Sequence, residues 1–299
     1  MKILITGAGG FVGRRMAEIF SGSGHTVVGV DRNDPPEIKD PSVFSWIQAD
    51  TTEPGSWQEA VGSADAVINL AGKNIFGRWS EKTKQEIYES RIRTTQNVVS
   101  AFSGSRPQIL LSTSAVGFYG DRGDELLDEE KNSGDDFLAR VCVDWEKEAN
   151  RAAEKGVRVA NMRFGLVMGR NGGALKMMLP AFKAFVGGPL GTGRQYMPWI
   201  HIEDLMSAHA LVLSNAGISG PVNCCSPNPI RNEVFARALG KVLGRPTVFR
   251  VPKFALSIAM GELGEMILAS QRATPAKLLK HGFTFAYPEL ETALADLLT

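Results

Sequence analysis

The sequence predicts an α/β fold, and three observations support this prediction. Strand patterns and helix patterns alternate along the first half of the chain, which is typical of a parallel sheet covered by helices on both faces. A glycine-rich segment, residues 6–13, lies between a short apolar strand and a helix pattern. The next strand pattern ends in a carboxylate, Asp31. Together these features predict a Rossmann-type doubly wound parallel sheet with a smaller C-terminal substrate lobe.

The glycine-rich segment has the layout of a site for a dinucleotide pyrophosphate. Gly7 allows a tight turn, Gly10 lets the backbone approach the phosphates, and Gly13 lets the helix pack close to the strand. The amide groups of the first helical turn, at Phe11 and Val12, then face the anion together with the positive end of the helix dipole. The alternative is a tight strand-to-helix turn that holds no ligand.

The end of the second strand bears on the choice of cofactor. Asp31 is placed to accept hydrogen bonds from the adenosine ribose hydroxyls, and it would repel a 2′-phosphate. Arg32 follows it directly and is suited to bind that phosphate. The sequence therefore predicts NAD or NADP, with a slight preference for NAD. Asp50, after the third strand, either accepts the adenine amino group or is an ordinary turn aspartate.

The remaining elements follow in order along the chain. Strands three to six are predicted at residues 43–47, 65–72, 109–112 and 157–162, and long helices at 81–102 and 136–155. Beyond Gly165, glycine-rich loops surround an apolar helix over 175–186, and further strands are predicted at 222–225 and 247–251. We assign residues 1–165 to an NAD(P)-binding domain, whose sheet a later strand can complete. Residues 166–299 form the lobe that covers the cofactor.

Composition argues against several functional classes. The chain has 299 residues and a net charge of +1 with interspersed charges, which argues against partners such as nucleic acid or an anionic membrane. No apolar run approaches the roughly 20 residues that span a bilayer. Cys142, Cys224 and Cys225 lack metal-ligand spacing and are predicted to be reduced core residues. We expect a cytoplasmic protein that binds a small molecule and no metal; its oligomeric state stays open.

Several motifs resemble those of the extended short-chain dehydrogenase/reductases. They lie where strands four, five and six end and in a later histidine–aspartate segment: Asn69-Leu70-Ala71-Gly72, residues 112–121, residues 163–169 and residues 199–204. The resemblance implies that Leu70, Ala71 and Gly72 lie beside the cofactor. It also implies that Ser114 occupies the position of the catalytic serine.

The chain is still more similar to an atypical subgroup of that superfamily. Members of this subgroup are called epimerase family proteins or nucleoside-diphosphate-sugar epimerases, and some are called cell division inhibitors. The similar segments run over nearly the whole chain: residues 144–146, 172–175, 187–191, 198–201 and 282–288. Because these labels follow the fold, the resemblance implies the architecture more firmly than the substrate.

The chain departs from the superfamily at its acid/base pair. Extended members use a tyrosine with a lysine four residues later, and the lysine lowers the pKa of the tyrosine. None of the four tyrosines has a lysine at that distance. Alignment on Glu146 places Leu138 at the tyrosine position and Cys142 at the lysine position, and Ser90 replaces the expected asparagine. Of the four usual catalytic residues, only Ser114 remains.

Few residues are available to replace the missing pair. Tyr119, on the loop that leaves strand five, is either a proton donor or a ring that packs against the cofactor. His201 is either a general acid/base or a hydrogen-bonded structural histidine. Arg194 either clamps an anionic substrate group in a cleft walled by residues 187–201, or is a solvated loop residue. Arg91, on the long helix, is expected to form a structural ion pair.

Two functional classes follow from these observations. The first, which we favour, is an NAD(P)-dependent oxidoreductase or epimerase with an unusual proton donor, acting on a small molecule that can be anionic. The second is a dinucleotide-binding sensor or scaffold with weak or no catalysis. The missing tyrosine–lysine pair favours this second class, because loss of acid/base catalysis typically lowers the rate about 10²–10⁴-fold.

Overall fold

A computed structural model of the chain describes residues 1–36, 41–106, 108–170 and 172–299. Eleven strands are present in this part of the chain. In chain order they are β1 (Lys2–Thr6), β2 (Thr26–Asp31), β3 (Phe44–Gln48), β4 (Ala66–Asn69), β5 (Ile109–Ala115), β6 (Leu126–Leu127), β7 (Arg158–Phe164), β8 (Leu166–Gly169), β9 (Trp199–His201), β10 (Gly220–Cys224) and β11 (Arg272–Ala273). Seven of them form one sheet in the order β10-β7-β5-β4-β1-β2-β3, and every pairing in that sheet is parallel.

Helices connect the strands and cover the sheet. They are α1 (Phe11–Gly22), α2 (Trp57–Ser63), α3 (Glu81–Ala101), α4 (Phe137–Asn150), α5 (Gly173–Lys183), α6 (Ile202–Ser214), α7 (Asn232–Leu243), α8 (Lys253–Met260), α9 (Glu262–Met266), α10 (Ala276–Lys280) and α11 (Leu290–Leu298). Apolar residues of α1 and α6 pack on one face of the sheet. Residues of α2, α3 and the end of α4 pack on the other face. The predicted doubly wound parallel fold is confirmed.

The topology places a crevice at the carboxyl ends of β1 and β4. From β1 the chain moves outward through β2 to β3, and it then returns to form β4 on the other side of β1. In open parallel sheets this reversal leaves a crevice that binds ligands. Thr6, which ends β1, donates its hydroxyl proton to Asn69 Oδ1 at 2.7 Å, and this bond ties the two strand ends together.

The C-terminal lobe has its own core. Residues of α5, α7 and α11 pack together with Met168 of β8 and Trp199 of β9. β8 and β9 form a separate parallel pair at the edge of the main sheet. Both α6 and β10 come after residue 165 but belong to the sheet domain, so the chain crosses between the two units more than once. No helix in the described ranges is long and apolar enough to cross a membrane.

Two predicted elements of the lobe were wrong in detail. Residues 247–251 do not form a strand, and only residue 251 makes a bridge, to Leu190. Val248 and Phe249 are instead 79% and 72% exposed, because no neighbouring strand pairs with them. The helix predicted over 175–186 ends at Lys183, and Phe185 beyond it has a left-handed φ of 63°.

Candidate functional site

The glycine turn joins β1 to α1 and packs against the end of β4. Gly7 has a φ of +69°, and a Cβ at this position would lie 2.9 Å from the backbone nitrogen of Ala71. A Cβ at Gly13 would overlap the carbonyl oxygen of Gly7 and would lie 2.7 Å from Ala8 Cα. Neither position accepts a side chain, which explains why the turn can be this tight.

The start of α1 fits an anionic group. Gly10 precedes the helix and offers no side-chain cap, and no acidic residue lies in the first turn. The amide groups of this turn therefore have no capping side chain, and they face open space with the positive end of the helix dipole. A Cβ at Gly10 would meet one atom within 4 Å, Gly7 O at 3.2 Å. Phe11 and Val12 line the large cleft described below.

The carboxylate of Asp31 is held by the protein itself. Its Oδ2 accepts a hydrogen bond from the backbone nitrogen of Gly9 at 3.0 Å. Its Oδ1 accepts two from Asn33, one from the backbone at 3.0 Å and one from the side chain at 2.8 Å. Arg14 donates from Nε to Gly9 O at 2.7 Å. Arg32 is exposed next to this group.

Asp50 lies in a turn after β3. Its Oδ1 accepts hydrogen bonds from the backbone nitrogen and the hydroxyl of Thr52, at 2.9 and 2.7 Å. These bonds, the one from the hydroxyl above all, lower the pKa of the Asp50 carboxyl. The residue is exposed, and among the described residues its Oδ2 accepts no hydrogen bond; Asp50 does not line the cleft described below.

A cleft of about 1660 Å³ runs from the glycine turn to the C-terminal lobe. On the sheet side, its lining includes Leu70, Gly72, Thr113 and Ser114. Ala71 does not line the cleft; its backbone nitrogen donates to Thr6 Oγ1 at 3.3 Å. From the lobe come mostly apolar residues: Met178, Phe182, Leu190, Pro198, Leu256 and Met260.

The lobe closes directly on the glycine turn. A Cβ at Gly172 or Gly173 would come within 3.0 Å of the Phe11 ring, so both glycines are in close contact with that ring. Gly187 and Gly188, in the segment predicted to wall the cleft, do line it, together with Tyr196 and neighbouring residues. The cleft is therefore bounded by both units of the chain.

Ser114 lines the cleft near the end of β5, and a buried carboxylate on the other side of the residue holds its hydroxyl. Its hydroxyl donates to Glu146 Oε1 at 2.7 Å. Arg163 donates to the same carboxylate from Nε at 2.8 Å and from Nη2 at 2.9 Å. Because the serine proton points to this buried ion pair, the hydroxyl offers lone pairs, not a proton, to the cleft.

The two residues at the tyrosine and lysine positions also line the cleft. Leu138 and Cys142 both lie on α4 there, which agrees with the alignment made on Glu146. Burial raises the pKa of the Cys142 thiol to about 11, so the thiol is uncharged at neutral pH. This position therefore supplies neither the charge of a lysine nor a proton donor matched to neutral pH.

Tyr119 is placed in the core beneath the cleft. Its side chain is fully buried, and its hydroxyl lies 2.8 Å from Asn223 Oδ1 and 3.0 Å from the carbonyl oxygen of Asp128. Arg163 Nη1 donates to the same hydroxyl at 2.9 Å. Burial raises the pKa of Tyr119 to about 12, so the phenol stays protonated at neutral pH. Tyr119 is not part of the cleft lining.

His201 is also in the core, where it caps α6. Its Nδ1 accepts a hydrogen bond from the backbone nitrogen of Glu203 at 3.2 Å, and its Nε2 lies 3.3 Å from Asp296 Oδ2. The imidazole stacks on the ring of Tyr287 with 3.8 Å between centroids. Burial lowers the pKa of His201, which favours a neutral ring. Arg194 is exposed and does not line the cleft.

Arg91 corrects a prediction made from the sequence. It was expected in an ion pair, but Nη1 donates to two backbone carbonyls, Lys73 O at 3.0 Å and Ile87 O at 2.9 Å. The guanidinium lies over the ring of Trp145 at 5.2 Å and lines the cleft. The sequence held a signal for this: Arg91 shares a helix face with buried Ile87 and Thr95, and no acidic residue lies three or four positions away.

Comparison with protein families gives two matches. The NAD dependent epimerase/dehydratase family matches residues 3–225, which contain the glycine turn, Ser114 and the whole main sheet except its first residue. A domain of unknown function, DUF1731, matches residues 251–297, the helices that close the lobe.

Similar proteins cover the full length of the chain. The Arabidopsis thaliana epimerase family protein SDR39U1 homolog, chloroplastic, is 39% identical over 100% of this chain and 87% of its own length. The Bacillus subtilis epimerase family protein YfhF is 39% identical over 100% of this chain and 98% of its own length. The crystal structure of human epimerase family protein SDR39U1 (isoform 2) with NADPH superimposes with a TM-score of 0.87. It is 30% identical, and 99% of each chain is covered.

Proposed function

The chain belongs to the NAD dependent epimerase/dehydratase family, and we propose that it transfers a hydride between NAD(P) and a small molecule held in the cleft. NAD(P) binding is a property of this family and fits the glycine turn. The size and continuity of the cleft support the proposal most. Pockets for a single drug-sized ligand measure about 300–1,000 Å³, and this cleft, at about 1660 Å³, has room for a dinucleotide and a second molecule.

Different residues of the cleft would have different roles in such a reaction. The nicotinamide of a bound dinucleotide would donate or accept the hydride. Leu138, Val141 and Val116 line the cleft near Ser114 and exclude water from that part. Ser114 accepts a hydrogen bond from a donor on the ligand. Because Tyr119 is buried with a raised pKa, the proton comes from solvent or from Tyr196, the one tyrosine among the lining residues.

An activity assay tests this proposal. NADPH oxidation is followed by nicotinamide absorbance with a panel of small carbonyl compounds, and NADP or NAD reduction with secondary alcohols and sugar nucleotides. On simple alcohols and sugar nucleotides we expect rates about 10²–10⁴-fold below those of enzymes with a tyrosine–lysine pair. Tyr196→Phe and Ser114→Ala then locate the donor and acceptor. Ordinary turnover of about 1–10³ s⁻¹ on alcohols would mean that another group replaces the pair fully.

The second function, a dinucleotide-binding sensor, is favoured by one observation. Leu138 and Cys142 leave the usual acid/base positions of the cleft without a group that titrates near neutral pH. Tight dinucleotide binding with no hydride transfer to or from any member of the panel would support the sensor and overturn the enzyme. The three free cysteines, all buried, fit a reducing compartment, and we propose a cytoplasmic location for either function.

We propose that the preferred cofactor is NADPH. The human relative was crystallised with NADPH. In this chain both oxygens of Asp31 already accept hydrogen bonds from Gly9 and Asn33, which reduces their availability to a ribose. Arg32 follows that carboxylate directly, and Arg14 bonds to Gly9, whose backbone nitrogen donates to it; both arginines are exposed and can offer guanidinium groups to a 2′-phosphate.

Substitutions at the end of β2 are expected to shift the ratio of NADPH to NADH affinity. Arg32→Ala should weaken NADPH binding roughly 10- to 100-fold with little effect on NADH, because one charge-assisted bond to phosphate is lost. Asp31→Ser should move the ratio toward NADPH, because it removes like-charge repulsion. Calorimetry with NAD, NADH, NADP and NADPH measures both. Arg237→Ala, on the exposed face of α7, is the control. An unchanged ratio in both variants would remove these residues from the ribose site.

A further inference from the structure

Arg91 has an unused hydrogen-bonding edge inside the cleft. Nη1 donates its two protons in hydrogen bonds to Lys73 O and Ile87 O. Nε and Nη2 have no acceptor among the residues that the structure describes. Both nitrogens keep some accessible surface, and Arg91 lines the cleft. The Nε–Nη2 edge is the one that binds two carboxylate oxygens at once.

Other arginines of the chain show what this edge binds when an acid is near. Arg163 places Nε and Nη2 on the two oxygens of Glu146, at 2.8 and 2.9 Å. Arg15 does the same with Glu203, at 2.8 Å for both bonds. Arg91 has the same edge, and no carboxylate of the described residues binds it.

The electrostatic surroundings of Arg91 leave its charge uncompensated. Glu146 is held by Arg163, and Glu86 pairs with Lys73, so neither acid reaches Arg91. The Cys142 thiol nearby is neutral. Burial lowers the pKa of Arg91 to about 10, a value at which it is still charged at neutral pH. The backbone carbonyls and the Trp145 ring stabilise this cation only in part, and an incoming anion would stabilise it further.

We infer that Arg91 binds the carboxylate of a small, mostly apolar substrate through Nε and Nη2. The inference rests on the proposed function, because it names the substrate class of the same cleft. A planar carboxylate, with its two oxygens side by side, matches the two parallel N–H groups of this edge. Cys142 is close to both Arg91 and Ser114, and all three residues line the cleft, so a carboxylate on Arg91 would lie on the same side of the cleft as the serine. The phosphates of a bound dinucleotide would lie elsewhere, at the start of α1.

Paired probes test the inference. Calorimetry measures binding of benzoate and 3-phenylpropanoate, and of the matching amides, to wild-type protein with and without saturating NADPH. We expect each carboxylate to bind at least about 10-fold more tightly than its amide. Arg91→Gln should lower carboxylate affinity roughly 10- to 100-fold and leave amide and NADPH affinity unchanged. Arg91→Lys, which keeps the charge but loses the two parallel N–H groups, should retain part of the carboxylate affinity that Arg91→Gln loses.

Controls separate this inference from other outcomes. Arg93→Gln, two residues along α3 in an exposed pair with Glu53, should not change carboxylate binding. The inference is overturned if wild type shows no preference for carboxylates, if Arg194→Gln and not Arg91→Gln abolishes it, or if Arg91→Gln weakens NADPH as much as carboxylate. If wild type binds no dinucleotide at all, the proposed function fails. In that case, the carboxylate and amide affinities measured without NADPH still test whether Arg91 binds a carboxylate.

Discussion

Gly10→Val is expected to abolish dinucleotide binding and to leave the fold intact. Gly10 has a φ of −73° and a ψ of 171°, which valine adopts without strain. A Cβ there would lie 3.2 Å from Gly7 O and otherwise point into open space, where the pyrophosphate would sit. A branched side chain in that space should weaken NADPH binding more than about 100-fold, measured by calorimetry. The thermal unfolding midpoint without nucleotide should stay close to that of wild type.

Two glycines of α1, the helix that follows Gly10, serve as controls for Gly10→Val. Gly13→Ala should destabilise the fold by about 1–3 kcal/mol, because its Cβ would overlap the carbonyl oxygen of Gly7. Gly22→Ala, at the far end of α1 with no atom within 4 Å of its Cβ, should bind NADPH as wild type does. Normal NADPH affinity in Gly10→Val would place the pyrophosphate away from the glycine turn.

The sheet domain could be predicted from the sequence because its signals are local. Buried parallel strands are continuous apolar runs, and a glycine turn has a fixed layout, so both are visible within a few residues. β1, with Ile3, Leu4 and Ile5 fully buried, is such a run. The positions of Leu138 and Cys142 in the cleft also followed from the sequence, because a helix keeps the register of the motif it carries.

Features that depend on distant contacts could not be predicted in this way. Residues 247–251 are rich in the β-branched and aromatic residues typical of strands, but a strand needs a neighbour, and in the fold only residue 251 has one. Tyr119 is close to Ser114 in sequence, yet its hydroxyl is taken up by Asn223, which is 104 residues away. Whether a polar group is free or engaged is decided by such partners, and a single sequence does not show them.

Ser114 depends on a buried ion pair, and breaking that pair is expected to have the largest effect on stability. The carboxylate of Glu146 is shared by Ser114 and by two nitrogens of Arg163, and Arg163 also lies 3.5 Å over the ring of Phe118. The side chains of Arg163 and Glu146 are only 4% and 9% exposed. Water therefore cannot replace a partner that is removed.

Glu146→Gln and Arg163→Met should each lower the free energy of unfolding by about 3–5 kcal/mol, because each leaves one buried charge unpaired. The double variant, which removes both charges, should be more stable than the sum of the single effects predicts, and urea unfolding of all four proteins gives the coupling energy. Arg93→Ala, which breaks a pair with Glu53 in which both side chains are more than half exposed, should cost no more than about 0.5 kcal/mol. Additive single effects would contradict this account, since they would mean that the two charges do not compensate each other. Glu146 would then not be fixed by Arg163, and the Ser114 hydroxyl that donates to it would be free to turn its proton toward the cleft.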